Sequence, residues 1–190
     1  MSASFPFYPR LRIDLLIRMT ANVPSLLSIP LFNYTQSSFP LPPPAEGENA
    51  KDYNEIYSNT RKFAVSEANP YFMRGPVLSA IGGPHLGPGK GWPMAAIVRA
   101  LTALSSSGNS EEKTRSEIQE EVRDQLRMVL DSTTGTGVVH ESVNAWSEHD
   151  WSRAWFGWAN GLLGELVLKL AENDEVATSP SDGILVQSWQ

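Results

Sequence analysis

With 190 residues, 41% of them hydrophobic, the chain is long enough for one domain with a real core, or for a piece of a larger one, and too apolar for wholesale disorder. Its formal net charge of -6 disfavours a nucleic-acid partner or an anionic membrane surface, both of which select a basic face, and leaves neutral ligands open. The absence of cysteine excludes a disulfide framework and thiolate chemistry, and no apolar run approaches the roughly 20 residues of a membrane span.

The first 18 residues make a poor signal peptide, because Pro6, Pro9, Arg10, Arg12 and Asp14 interrupt any apolar stretch. Asn22 is suited to cap a short helix, with Pro24 in the first turn, Leu26 and Leu27 inside and Pro30 at its end. Asn33-Tyr34-Thr35 fits a glycosylation sequon, a triplet frequent by chance. Residues 36–51 hold Pro40, Pro42, Pro43 and Pro44, which exclude a helix or an interior strand and predict an exposed loop insertion.

Asp52 to Val65 reads as a helix with Tyr53, Ile56, Tyr57 and Phe63 on its apolar face, stopped by Asn69-Pro70. Residues 70–91 are rich in glycine and proline yet carry Tyr71, Phe72, Met73, Val77 and Ile81, so they read as a structured loop rather than a linker. Trp92 to Leu104 is helical, with Pro93 near its first turn. A second, amphipathic helix spans about Glu111 to Leu130, with Ile118, Val122, Leu126, Val129 and Leu130 on one face and charges on the other. After a loop over residues 131–150, Ser152 is expected to cap a helix reaching Leu170. Trp155, Leu162, Leu166 and Leu170 form its stripe, and it is expected to be the best buried element. The tail after Glu172 is polar, with a short strand signal at Ile184–Val186.

Helices alternating with long loops, few strand signals and no internal repeat predict an all-α fold whose loops carry the chemistry. Six tryptophans are present, four of them between Trp146 and Trp158. They suit either an aromatic core or a sugar site, where flat rings meet the C–H face of a pyranose.

Two loop motifs stand out. Gly135-Thr136-Gly137-Val138-Val139-His140-Glu141-Ser142 turns sharply and then presents a histidine beside a carboxylate; a solvated surface glutamate is the bland alternative. A zinc helix would need histidine where Asn144 stands, and a serine-nucleophile elbow around Ser142 is absent. Ile81-Gly82-Gly83-Pro84-His85-Leu86-Gly87-Pro88-Gly89 lacks the spacing of a phosphate loop and reads as a rigid turn that delivers His85 to a cleft.

Several blocks resemble, in order, the signatures of glycoside hydrolase family 125. They are Asn22-Val23-Pro24-Ser25-Leu26-Leu27-Ser28, Tyr57-Ser58-Asn59-Thr60-Arg61, Asn69-Pro70-Tyr71-Phe72, and Ile81-Gly82-Gly83-Pro84-His85 with Trp92-Pro93-Met94. Gly135-Thr136-Gly137 with His140-Glu141-Ser142, and Trp155-Phe156-Gly157-Trp158-Ala159-Asn160-Gly161-Leu162-Leu163-Gly164-Glu165-Leu166, complete the set. The resemblance implies part of an (α/α)6 barrel over residues 21–172, flanked by an unmatched segment 1–20 and a tail 173–190. It implies an inverting exo-α-1,6-mannosidase that needs no metal or other cofactor and acts on mannose-containing glycans, with no nucleic-acid or membrane partner.

Glu141 matches the expected general base, and His140, His85, Asn22 and Trp92 fall among the expected substrate-binding residues. The family's acid comes from an aspartate upstream of the Asn22 block, and the residues ahead of that block here match nothing of it. Met19 and Thr20 stand where two aspartates are usual. The expectation is a chain with one of two catalytic carboxylates, as a truncated or mis-spliced product would have, and inactive alone. A non-catalytic carbohydrate-binding or interaction remnant is the alternative.

Overall fold

The computed structural model describes residues 26–32, 53–105 and 114–175. Asn22, the Asn33 sequon, the proline-rich stretch 36–51 and the strand signal at Ile184–Val186 lie outside the described residues.

Leu26–Phe32 forms a 3-10 helix, followed by α1 (Tyr53–Ala64). A short hairpin comes next, β1 (Phe72–Arg74) and β2 (Ser79–Ile81), then a 3-10 turn at Pro84–Leu86 and β3 (Lys90–Gly91). Helices α2 (Pro93–Ser105) and α3 (Arg115–Asp131) follow. Strands β4 (Ser142–Asn144) and β5 (Ser147–Ser152) then lead into α4 (Gly157–Glu175).

Helix α2 is the centre. Ten of its 13 residues are buried, as expected for a helix apolar except at Arg99, Thr102 and Ser105, and α3, α4, β2 and the first 3-10 helix pack around it. Helix α3 begins in a capping box, with Thr114 and Glu117 satisfying each other's backbone donors. It then buries Ile118, Val122, Leu126 and Val129 on the predicted stripe.

One charge on the supposed solvent face of α3 is not there. Glu121 is buried, because Arg61 of α1 and Arg99 of α2 converge on its Oε1 at 2.9 and 2.6 Å. Arg61 also donates to Thr102 Oγ1 at 2.7 Å and to the Arg99 carbonyl at 3.2 Å. Tyr57, one turn earlier, donates to the Leu27 carbonyl at 3.0 Å. The Tyr57–Arg61 block therefore joins α1 to α2, α3 and the first 3-10 helix.

The two long loops hold more order than the sequence suggests. β1 and β2 pair antiparallel, Met73 opposite Ala80, while β3, β4 and β5 form an antiparallel sheet in that order. These strands have two to six residues. All but β5 are too short to show a period of two, β5 is exposed along most of its length, and β3 meets its partner only through the tertiary fold.

Ser152 does not cap a helix. It ends β5, and α4 starts at Gly157 after Arg153 turns the chain with a φ of 51°. Trp155 accordingly precedes α4 and is exposed, as are Trp158, Val167 and Leu168. The best buried element is α2 rather than the last helix, whose buried residues against the core are Ala159, Leu166 and Leu170. Leu166 is fully buried as expected, so Leu166→Ala should cost about 2–5 kcal/mol in chemical denaturation. A cost near zero would mean that the α2–α4 contact is loose in solution.

Candidate active site

The site grows from the end of α3. Thr134, Gly135 and Gly137 all take positive φ, at 54°, 80° and 69°, so the chain reverses within four residues. Threonine hydroxyls close this turn, Thr133 donating to the Leu130 carbonyl and Thr136 to the Thr133 carbonyl, each at 2.7 Å. The emerging Val139 is then strapped to α4. Its N–H donates to Asn160 Oδ1 at 3.0 Å, and its carbonyl accepts from Asn160 Nδ2 at 2.9 Å and from the Phe156 N–H at 3.2 Å. Two sequence blocks far apart in the chain, Gly135–Ser142 and Trp155–Leu166, are thus joined at the residue before His140.

His140 is buried, with its ring stacked on Trp151 at 4.4 Å and 9°. Its Nδ1 lies 2.8 Å from the Ala154 carbonyl, which can only accept, so Nδ1 carries a hydrogen. Nε2 is buried with no partner among the described residues. In the neutral ring this nitrogen is an acceptor available to a hydroxyl.

Glu141 is the next residue in the chain. Its N–H donates to the Ser152 carbonyl at 3.1 Å, prolonging the β4–β5 ladder. Its half-buried carboxylate accepts from Ser152 Oγ at 3.0 Å and lies 3.5 Å from Arg153 Nε, both on Oε2.

The glycine-rich loop joins this site through β3. Gly91 pairs with Val143, so continuing the register sets Trp92 level with Ser142, beside Glu141. Trp92 is buried with no partner for its indole N–H among the described residues, and exposed His85 lies 5.5 Å from it, ring centroid to ring centroid, in a tilted contact. The loop is a clamp rather than a phosphate cradle. Gly82 lies against the Lys90 carbonyl and Gly75 against the Ala145 carbonyl, which also accepts from the Val77 N–H. A methyl group at Gly75 would overlap Ala145 backbone, so Gly75→Ala should lose about 1–3 kcal/mol in thermal or urea unfolding. An unchanged midpoint would show that the hairpin is not seated on Ala145.

At the far end of the sheet, Asp150 pairs with Lys90 Nζ at 2.7 Å and accepts from Asn144 Nδ2 at 3.0 Å. The Lys90 side chain, with help from Asn144, holds the Asp150 carboxyl below its usual range. No cluster of metal-ligating side chains occurs among the described residues.

The structure therefore brings His140, Glu141 and Trp92 to one sheet, with His85 against Trp92. Sequence reasoning did not reach Ser152, Arg153, Trp151 or Asn160 as members of the site. Asn160 and Trp151 carried the weak signal of lying in or near motif blocks. A non-glycine residue at positive φ, such as Arg153, carries none.

A family model described as metal-independent alpha-mannosidase (GH125) matches residues 16–168. The Meiotically up-regulated gene 157 protein of Schizosaccharomyces pombe is 40% identical over 153 residues, which are 80% of this chain and 25% of that protein. A Streptococcus pneumoniae structure from a family of metal-independent alpha mannosidases, in a non-productive complex with alpha-1,6-mannobiose, superposes with a TM-score of 0.59 at 31% identity. That match covers 80% of this chain and 29% of the other. The chain thus spans between a quarter and a third of the length of these two relatives.

Proposed function

Because the chain belongs to the metal-independent α-mannosidase family GH125, we propose that it carries the water-activating side of an inverting exo-α-1,6-mannosidase site. In this reading residues 21–172 are part of an (α/α)6 catalytic domain that accepts the terminal mannose of a glycan. The observation that supports it most is the Glu141 carboxylate, accessible and loop-borne, with Oε2 tied to the protein and Oε1 without a hydrogen-bond partner among the described residues.

In the proposed reaction Oε1 of Glu141 takes a proton from water as the water oxygen attacks the anomeric carbon. The glycosidic C–O bond breaks, and its oxygen receives a proton from an acid on the opposite face. His140 Nε2 and the Trp92 indole N–H are buried polar atoms that sugar hydroxyls can satisfy. His85 and Asn22 complete the proposed substrate-binding set.

Binding tests this reading apart from turnover. Titration of the chain with α-1,6-mannobiose, followed by tryptophan fluorescence, should saturate. Glu141→Ala should weaken it about tenfold or more, the equivalent of one charged hydrogen bond, without lowering Tm. Equal affinity in the variant, or no saturation, would count against the site.

A further inference from the structure

Resting on that reading of Glu141, we propose that Ser142 and Ser152 form a hydroxyl relay that positions the base and decides which of its oxygens meets water. Ser152 Oγ donates to Glu141 Oε2 at 3.0 Å. The same Oγ lies 2.6 Å from Ser142 Oγ. A hydroxyl has a single hydrogen. Since Ser152 uses its hydrogen on the carboxylate, the short contact must be filled by the hydrogen of Ser142. The direction is then fixed: Ser142 donates to Ser152, and Ser152 donates to Glu141.

The backbone makes this relay rigid. Ser142 and Ser152 are register partners across β4 and β5, and the Glu141 N–H bonds the Ser152 carbonyl. Ser142 is fully buried. Its hydroxyl therefore has little competition from water, and a chain of hydrogen bonds in such surroundings polarises each member in turn. Arg153, held at a φ of 51° that costs a non-glycine residue strain, brings its Nε to 3.5 Å from the same Oε2. Among the described residues three groups thus act directly or indirectly on Oε2 and none on Oε1.

A carboxylate on a flexible stem would present either oxygen. This one is held through Oε2, with no described residue on Oε1, and orientation of this kind is what a general base needs before proton transfer. Ser152 and Ser142 are positioning residues in this scheme. Neither is a nucleophile, since their hydrogen bonds are spent within the relay.

The test uses the whole chain with carboxyl-13C-labelled glutamate at one fixed pH. The Glu141 resonance is identified by its loss in Glu141→Gln. Ser152→Ala should displace that resonance while the other glutamate signals stay, and Ser152→Thr, which keeps a hydroxyl in a strand position, should return it toward the wild-type position. Ser142→Ala should displace it in the same direction by a smaller amount, because Ser152 still donates but is no longer polarised. An unmoved Glu141 signal in Ser152→Ala, or failure of threonine to restore it, would overturn the relay; a role in packing alone would be indifferent to the hydroxyl. Addition of α-1,6-mannobiose to the wild type is the second arm. A Glu141 response supports the sugar site, whereas silence there overturns that reading and with it the catalytic purpose of the relay, whatever the serine variants show.

Discussion

Assayed on α-1,6-linked mannobiose, the purified 190-residue chain is expected to show turnover about 10²–10⁴-fold below that of an enzyme with both catalytic groups, the usual worth of general-acid assistance. An inverting site needs a second carboxyl about 6.5–9.5 Å from the base, protonated when the leaving oxygen departs. Four other carboxyls, Asp131, Glu148, Asp150 and Glu165, are suited to other work. Asp150 is held ionised by Lys90 and Asn144, the wrong direction for an acid. Glu148 is exposed, 3.8 Å from His149, and Glu165 pairs with Lys169 at 3.2 Å along α4. Asp131 ends α3 on the surface. Robust turnover abolished by Glu141→Gln would show that one of these, or an acid outside the described residues, completes the pair. Turnover that survives Glu141→Gln would remove Glu141 from the reaction.

The largest effect on stability is expected at Glu121. Replacing it with alanine leaves Arg61 and Arg99 facing each other in a partly buried site without the oxygen both contact, a change that typically costs about 3–5 kcal/mol. For a domain of this size that corresponds to a fall in Tm of roughly 6–20 °C. Arg61 retains Thr102 and the Arg99 carbonyl, so it cannot simply swing into solvent. A loss below about 1 kcal/mol would mean that water already solvates the cluster. Removing all three charges together, with leucine or methionine in their places, should restore much of the loss, because the cost lies in stranded charge rather than in the pair's absence.

What the sequence determined by itself was local or repeated often enough to register. The 3.6-residue spacing of Ile118, Val122, Leu126 and Val129 marked α3 and its buried face. The largely apolar segment after Pro93 marked α2, and the ordered blocks marked the family. The glycines at 135 and 137 announced a reversal ahead of His140 and Glu141, because only residues free of a Cβ take such φ values cheaply.

Tertiary structure alone decided the rest. Glu121 reads as one more charge on a polar face until Arg61 and Arg99, 60 and 22 residues away, close on it. Ser152 reads as a helix cap because serine before an apolar run usually is one; pairing with Ser142 across the sheet makes it a strand end whose hydroxyl holds a carboxylate instead. Strands this short or this exposed leave no periodic trace, and β3 pairs with β4 although α2 and α3 lie between them in the chain. The physical reason is common to these cases. A side chain's environment depends on partners distant in the chain, whereas propensity and periodicity report only its neighbours.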